Sequence, residues 1–317
     1  MGTTVSGLMA RVPNPLPWAR DVYAQRSRRR RFERMLWRRQ FVAIGLARAA
    51  ATSSLRDLDP TDPLSWSFSG FSQNKEDGII DYLASRLRRP NRYFIEIGAA
   101  DGLECNTAWL AVAKRWSGLM VEGDPNASAW CQRMISGDGG LNIGVESACL
   151  WVTRENAPEI VRRCVHPDPD VFSIDIDGND YYVLAALLEA GLRPKICVVE
   201  YNSAFGPTRC LTVEYDAERR IDFDDIAGSL YYGVSIAGWR HFFETHGYEF
   251  VTVEESGVNA CFIDRAEFDD TFVSSLRGRQ FEENAWQMMR LGCGWEHQLE
   301  MIERSRLVQL DIEPARH

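Results

Sequence analysis

The segment Tyr93-Phe94-Ile95-Glu96-Ile97-Gly98-Ala99-Ala100-Asp101-Gly102 constrains the fold more than any other, because an apolar run ends abruptly in a turn of small residues. Phe94, Ile95 and Ile97 make the short continuous run of a strand buried in a parallel sheet. Gly98, Ala99, Ala100 and Gly102 then keep side chains out of the way, so that a ligand can approach the backbone itself. A turn made for a pyrophosphate presents amide hydrogens with no carboxylate nearby, since anion repulsion in a poorly solvated cleft is costly. Here Glu96 and Asp101 flank the turn, which points to a cationic, hydroxyl-rich ligand. On this segment alone an ordinary strand-to-loop turn stays open.

A second apolar run, Gly118-Leu119-Met120-Val121, ends in Glu122 about 20 residues beyond the glycine turn, the interval at which an alternating fold sets a carboxylate against a ribose diol. Glu122 is the expected ribose ligand, although a surface acid at a strand end is the plainer alternative. A cation, a ribose and a close backbone approach together describe S-adenosylmethionine. Around these runs the pattern alternates. An amphipathic helix over 75–88 is followed by strands predicted near 93–97, 118–121, 142–147, 171–176 and 195–200. Helical patterns over 107–115, 127–135, 157–164 and 181–190 fill the gaps, which is the rhythm of a doubly wound, Rossmann-like parallel α/β sheet. A helix over 234–246 stops at Gly247, and the strands 248–253 and 258–263 are joined by a turn so short that they must pair antiparallel, closing the sheet with a hairpin.

At 317 residues and 45% hydrophobic content the chain can bury a substantial core. Its net charge of −9 is unevenly spread: residues 1–50 carry 11 Arg against Asp21 and Glu33, a balance of +9 that leaves −18 to the other 267 residues. An acidic body disfavours nonspecific nucleic-acid binding, which needs a basic surface. The expected organisation is a basic helical extension and linker over 1–63, a catalytic domain over 64–264 and a helical appendage over 265–317. The Arg-rich helix expected within 20–50 is too basic to span a bilayer. Peripheral contact with an anionic membrane at its inner face, a processed leader and a solvated extension all remain open. Eight scattered cysteines and five His suggest reduced thiols in a cytoplasmic compartment rather than a disulfide framework or zinc site.

Five stretches together resemble the S-adenosylmethionine-dependent methyltransferases of the FkbM-like group: Phe71 to Gly78 (FSQNKEDG), Phe94 to Gly102, Val121-Glu122-Gly123-Asp124, Ser173 to Tyr181 (SIDIDGNDY), and Val199-Glu200-Tyr201-Asn202. The resemblance covers Phe71 to Ile263. It implies a class I methyltransferase sheet and, for some members, methylation of hydroxyls on glycans and secondary metabolites. It also implies that the segment carrying Gln73, Glu76 and Asp77 covers the cofactor. Ala100 departs from the glycine many such enzymes carry, narrowing the turn. The Arg-rich extension lies outside the resemblance.

Asp175 and Asp177 stand at a strand end two residues apart, so a strand would place both on one face, and Glu200 and Asn202 end the next strand with the same spacing. Four oxygen-bearing side chains could thus converge over a sulfonium. Like charges that close raise each other's pKa unless a cation or donor intervenes, which marks a general base or a hard-cation cradle. In one version Mg²⁺ on Asp175, Glu200 and Asn202 binds the acceptor hydroxyl and Asp177 takes its proton; in the other Asp175 or Asp177 acts alone. The cofactor-binding set is Gln73, Glu96, Gly98, Ala99, Asp101, Gly102, Asn106, Glu122, Ala148 and Asp175. Plainer roles compete: helix capping for Asn106, and a turn and cap for Asn179 and Asp180. The aromatic insertion 204–233 could stack on an acceptor or close a hydrophobic cluster. Two other functions stay in view, a nicotinamide-dependent oxidoreductase and a noncatalytic membrane-peripheral scaffold.

Overall fold

The computed structural model describes residues 40–52, 55–222 and 224–310. The chain divides into two compact units, Met1–Ile44 and Gly45–His317. Residues 40–52 are helical (α1). The run Arg26 to Arg39, and with it most of the expected basic helix, lies outside the described residues. Among the described residues no helix is long and apolar enough to cross a membrane.

The second unit is built on β1 (Tyr93–Ile97), β2 (Ser117–Glu122), β3 (Val145–Cys149), β4 (Val171–Ile174) and β5 (Ile196–Glu200), a parallel set closed by an antiparallel pair. A short strand β6 (Leu211–Val213) lies apart; β7 (Tyr248–Val253) and β8 (Asn259–Asp264) form the closing hairpin, with β8 against β5. The spatial order is β3-β2-β1-β4-β5-β8-β7. This is the mixed α/β, Rossmann-like sheet the alternation predicts. The connecting helices are α2 (Glu76–Ser85), α3 (Ala108–Val112), α4 (Pro125–Cys131), α5 (Ala157–Arg163), α6 (Asp180–Glu189), α7 (Ile226–Leu230) and α8 (Ile236–Thr245).

Local chemistry explains where element ends differ from expectation. Strand β3 begins at Val145 rather than 142 because the buried Asn142 folds the preceding loop: its Oδ1 accepts from the Gly144 amide (2.9 Å), and its Nδ2 donates to the Ala111 and Trp116 carbonyls (2.8 and 2.7 Å). Helix α4 continues as a π turn over Gln132–Ser136. Ser235 caps α8 through a bond from the Gly238 amide (3.0 Å), and Gly247, at φ +83°, ends the turn beyond it.

Ile95, Ile97, Phe172, Ile174, Leu184, Val199, Trp239 and Phe243 form the centre of the core. At the amino ends of the strands a buried ion pair joins β5 to β4: Lys195 Nζ donates to Asp170 Oδ1 at 2.7 Å and to the Arg89 carbonyl at 2.6 Å. Asp170 also accepts from the Asn91 and Arg92 amides (3.0 and 2.6 Å), drawing in the start of β1. The sheet is thereby fastened at the amino ends of its strands.

The chain after the hairpin adds α9 (Asp270–Ser275), α10 (Ala285–Leu291), α11 (Trp295–Ile302) and β9 (Leu307–Gln309), and β9 pairs antiparallel with β6. Phe205, Leu211, Val213 and Leu230 of the insertion pack with Leu299 and Ile302 of α11. Phe205 is thus spent on a hydrophobic cluster, and the described residues 265–310 belong to the same compact unit as the sheet.

Candidate active site

The strand order reverses between β1 and β4, and open α/β sheets receive ligands beyond the carboxyl ends of strands at such a switch point. There the backbone is drawn tight. The Gly98 and Ala99 amides donate to the Val121 carbonyl (2.9 and 3.0 Å), and the Asp175 amide donates to Ile97 (3.0 Å). Gly98 takes φ +89°, and a Cβ on it would stand 1.8 Å from the Asp175 carbonyl oxygen. Neither conformation nor space admits a side chain. Ala100 is also left-handed, at φ +47°. Glu122 holds it there: Oε2 accepts from the Ala100 amide (2.7 Å) and Oε1 from the Asp124 amide (2.6 Å). The acid expected at a ribose therefore also locks the glycine turn to the end of β2, with acceptor capacity left on both oxygens.

A cavity of about 790 Å³ opens at this point, the size of a small-molecule site. Of the residues singled out from sequence, Gln73, Gly98, Glu122, Asp175, Asp177 and Glu200 line it. Glu96, Ala99, Asp101, Gly102, Asn106, Ala148 and Asn202 do not. Glu96 is buried beneath the turn, where its carboxylate accepts from the Thr107 amide (2.9 Å), and burial pushes its pKa up to about 7. Asn106 donates to Ser173 Oγ (3.1 Å) on β4 rather than capping α3, which has no side-chain cap. Asp101 accepts from the Leu103 amide (3.0 Å), and Gly102 fits closely against Cys131 and Ile135 of α4 and its π turn. Ala99 and Ala148 are packed in the interior.

The segment before α2 divides in the same way. Asp77 Oδ2 gathers the Gly70, Phe71 and Ser72 amides (2.7, 2.6 and 3.0 Å), while Ser72 Oγ accepts from the Asp77 amide (3.1 Å). Glu76 bonds the Asn74 amide and Asn259 Nδ2 (2.9 and 2.7 Å). Only Gln73 and Asn74 of this stretch reach the cavity.

Three carboxyls meet across the cavity floor. Asp175, Asp177 and Glu200 present oxygens that all lie within 4.8 Å of one another. Strand alternation does not bring the two aspartates together, because β4 ends at Ile174. The buried Asp180 gathers the loop instead, accepting from the Ile176 and Gly178 amides (both 3.0 Å), and Asp177 turns left-handed at φ +58°. Asp is among the few residues that take up this conformation readily, so the loop can turn back here at little cost. The expected fourth member is absent: Asn202 is 0% exposed, its Oδ1 caps Ala204 N (3.0 Å), and its Nδ2 donates to the Leu230 and Tyr232 carbonyls (2.7 and 3.0 Å). Every polar atom of that side chain is occupied by the insertion.

Burial first, then repulsion between neighbours, pushes the Asp175 and Glu200 carboxyls well above the ordinary range. Their oxygens, with those of Asp177, lie within 4.8 Å of one another, so ionising one raises the cost of ionising the next. Asp177 keeps access to solvent through the cavity; desolvation by the surrounding protein, with the charges of Asp180 and Glu122, raises it to about 6. Glu200 Oε2 is buried without a hydrogen-bond partner. That orphaned oxygen fits a ligand cation or donor at this spot.

Trp151 and Trp286, which the sequence does not single out, also line the cavity, as do Arg219 and Arg220 of the aromatic and charged insertion and Asn179, expected only in a turn and cap. Trp151 lies against Gly123, where a Cβ would meet its ring at 2.7 Å, and the missing side chain after Glu122 was the available clue. Asn179 binds the insertion, donating to the Asp216 carbonyl (2.6 Å).

Three carboxyls buried away from this floor have stability consequences. Asp77, Glu96 and Glu254 are each raised to about 7, above their unfolded values, chiefly by desolvation. Between the unfolded and folded pKa the native state binds more protons, so the stability these groups give is present at acid pH and lost as pH rises through about 7. Thermal unfolding followed by circular dichroism is expected to give a Tm lower by on the order of 5 °C at pH 8.5 than at pH 6; a rising Tm contradicts the assignment.

No protein-family model and no curated protein matches the chain. Among solved structures it is similar to the O-methyltransferase TomG of Streptomyces achromogenes in complex with SAM, at 16% identity over 54% of this chain and 72% of that one, with a TM-score of 0.36. An O-methyltransferase of Bacillus cereus in complex with SAH is 16% identical over 71% of this chain and 90% of the other, with a TM-score of 0.39. A putative O-methyltransferase of Klebsiella pneumoniae is 15% identical over 69% and 96%, with a TM-score of 0.34.

Proposed function

We propose that this chain is an S-adenosylmethionine-dependent O-methyltransferase of the FkbM-like group, acting on a hydroxyl of a glycan, glycolipid or other natural product. One observation carries the reading: Glu122, Asp175, Asp177 and Glu200 converge on a switch-point cavity beside a glycine turn that leaves the backbone bare. The acids suit a sulfonium and a ribose. They oppose the pyrophosphate of a nicotinamide dinucleotide, which disfavours the oxidoreductase alternative.

In this reading Glu122 accepts from the ribose hydroxyls, and the turn at Gly98 lets the ligand lie on the backbone. Asp175 and Glu200 lie opposite the positive centre. Asp177 takes the proton of the acceptor hydroxyl as its oxygen attacks the methyl carbon; the carbon–sulfur bond breaks and its electron pair returns to sulfur. Most of the rate enhancement then comes from alignment.

A second reading is supported by the orphaned Glu200 oxygen and the close carboxylates. Asp175, Asp177 and Glu200 would hold Mg²⁺, whose chemistry is to lower the acceptor hydroxyl's pKa. Asn202 is replaced by Asp177 in this ligand set. The test of both is methyl transfer from labelled cofactor across fractionated cell glycans and lipids, with and without EDTA. Label in a hydroxyl-bearing fraction is expected. Loss of that label with EDTA and its return with Mg²⁺ selects the second reading, and no transfer to any fraction removes both.

A further inference from the structure

Facing the acidic floor, the insertion brings two guanidinium groups to the same cavity. The segment carrying them is fastened at several points. Asn179 Nδ2 donates to the Asp216 carbonyl (2.6 Å), Trp151 Nε1 donates to Ala217 (2.7 Å), and Arg219 Nη2 donates back to Glu214 (2.7 Å). Arg219 lies over the Tyr231 ring at 4.8 Å and Arg220 over the Trp151 ring at 4.5 Å. Stacking fixes a guanidinium plane while leaving its edge donors for a partner.

Those donors are poorly used. Neither arginine forms an ion pair among the described residues, although Asp175, Asp177 and Glu200 line the same cavity. Arg219 Nε is buried with no hydrogen-bond acceptor. The remaining guanidinium nitrogens of Arg219, half-buried, and of Arg220, exposed, have no ionic partner on this wall, and two such groups side by side suit an anion. Trp286, 63% exposed, and Ile221 line the cavity too and offer an apolar surface to a carbon skeleton.

We infer that Arg219 and Arg220 form an anion subsite, and that the acceptor carries a phosphate or carboxylate besides the hydroxyl that is methylated. The inference rests on the methyl-transfer reading for the word acceptor, but the subsite stands on its own geometry. The amino-acid carboxylate of the cofactor is the other anion that could occupy it, and the experiment separates the two.

Isothermal titration of inorganic phosphate into the full chain saturated with S-adenosylhomocysteine (SAH) is compared with the same titration into the double variant Arg219→Gln/Arg220→Gln. Near-ultraviolet circular dichroism checks that the variant keeps its packing. Phosphate affinity is expected to fall about tenfold or more in the variant, with SAH affinity changed less than about twofold. Equal phosphate binding by both proteins, or binding by neither, overturns the subsite. Weakened SAH with unchanged phosphate assigns the arginines to the cofactor and overturns it as well. If wild type does not bind SAH, the methyl-transfer reading fails by itself, and phosphate titrated into the ligand-free proteins still decides the subsite by the same comparison.

Discussion

Asp175→Asn is expected to lower methyl transfer by roughly a thousandfold while SAH still binds within a few-fold of wild type. The substitution keeps the shape of the side chain and leaves the backbone amide bond to Ile97 in place. It removes a carboxyl whose oxygen lies within 4.8 Å of those of Glu200 and Asp177. An amide carries no charge, so it cannot balance a sulfonium or a cation at the floor as a carboxylate does. The loss therefore falls on kcat, because the proposed ribose contact through Glu122 and the turn at Gly98 lie outside the change. Radiolabel transfer to a fixed acceptor fraction, with SAH titration alongside, measures both quantities. Equal turnover of the two proteins removes Asp175 from the chemistry in either the proton-transfer or the cation version.

Gly98→Ala has the other large effect, on the fold of the site itself. The added methyl would stand 1.8 Å from a backbone oxygen of Asp175, and φ +89° is strained for any residue with a Cβ. A flexible side chain can step aside, but here the obstacle is the end of β4, which is tied to β1 through the Asp175 amide. Relief requires the carboxyl ends of β1 and β4 to part, moving the glycine turn away from Asp175. Destabilisation of about 3 kcal/mol or more is expected by urea unfolding, with SAH binding lost even in whatever fraction folds. A stable variant with wild-type SAH affinity contradicts the close crossing on which the site's geometry depends.

Much of the frame was legible because hydrophobic periodicity and turn chemistry are local. Tyr93–Ile97 and Tyr248–Val253 fall where the pattern places them, and the hairpin followed from the short connection alone. The site was legible only where a side chain acts from the element that carries it. Glu122, at the end of β2, belongs to that class. Asp175 and Asp177 meet for a reason that strand spacing cannot supply: Asp180 folds the loop, and a left-handed Asp177 turns it back. Asn202 looked like a partner of Glu200 on the same alternation, but β5 ends at Glu200 and the next residues enter a 3-10 turn that Asn202 caps. Arg219, Arg220 and Trp286 reach the cavity from parts of the chain distant in sequence from the β1 turn. The length and aromatic content of the insertion mark the segment carrying Arg219 and Arg220, but only tertiary packing shows which of its side chains, and that Trp286, reach the cavity.

Binding of S-adenosylmethionine in this cavity through Glu122 and the Gly98 turn is checked by calorimetric titration of SAH into wild type and Glu122→Ala, with NADH titrated in parallel. Saturable binding of one SAH per chain is expected, weakened about tenfold or more by the substitution, with weaker binding of NADH. Tighter binding of NADH than of SAH, or SAH affinity indifferent to Glu122, would contradict it.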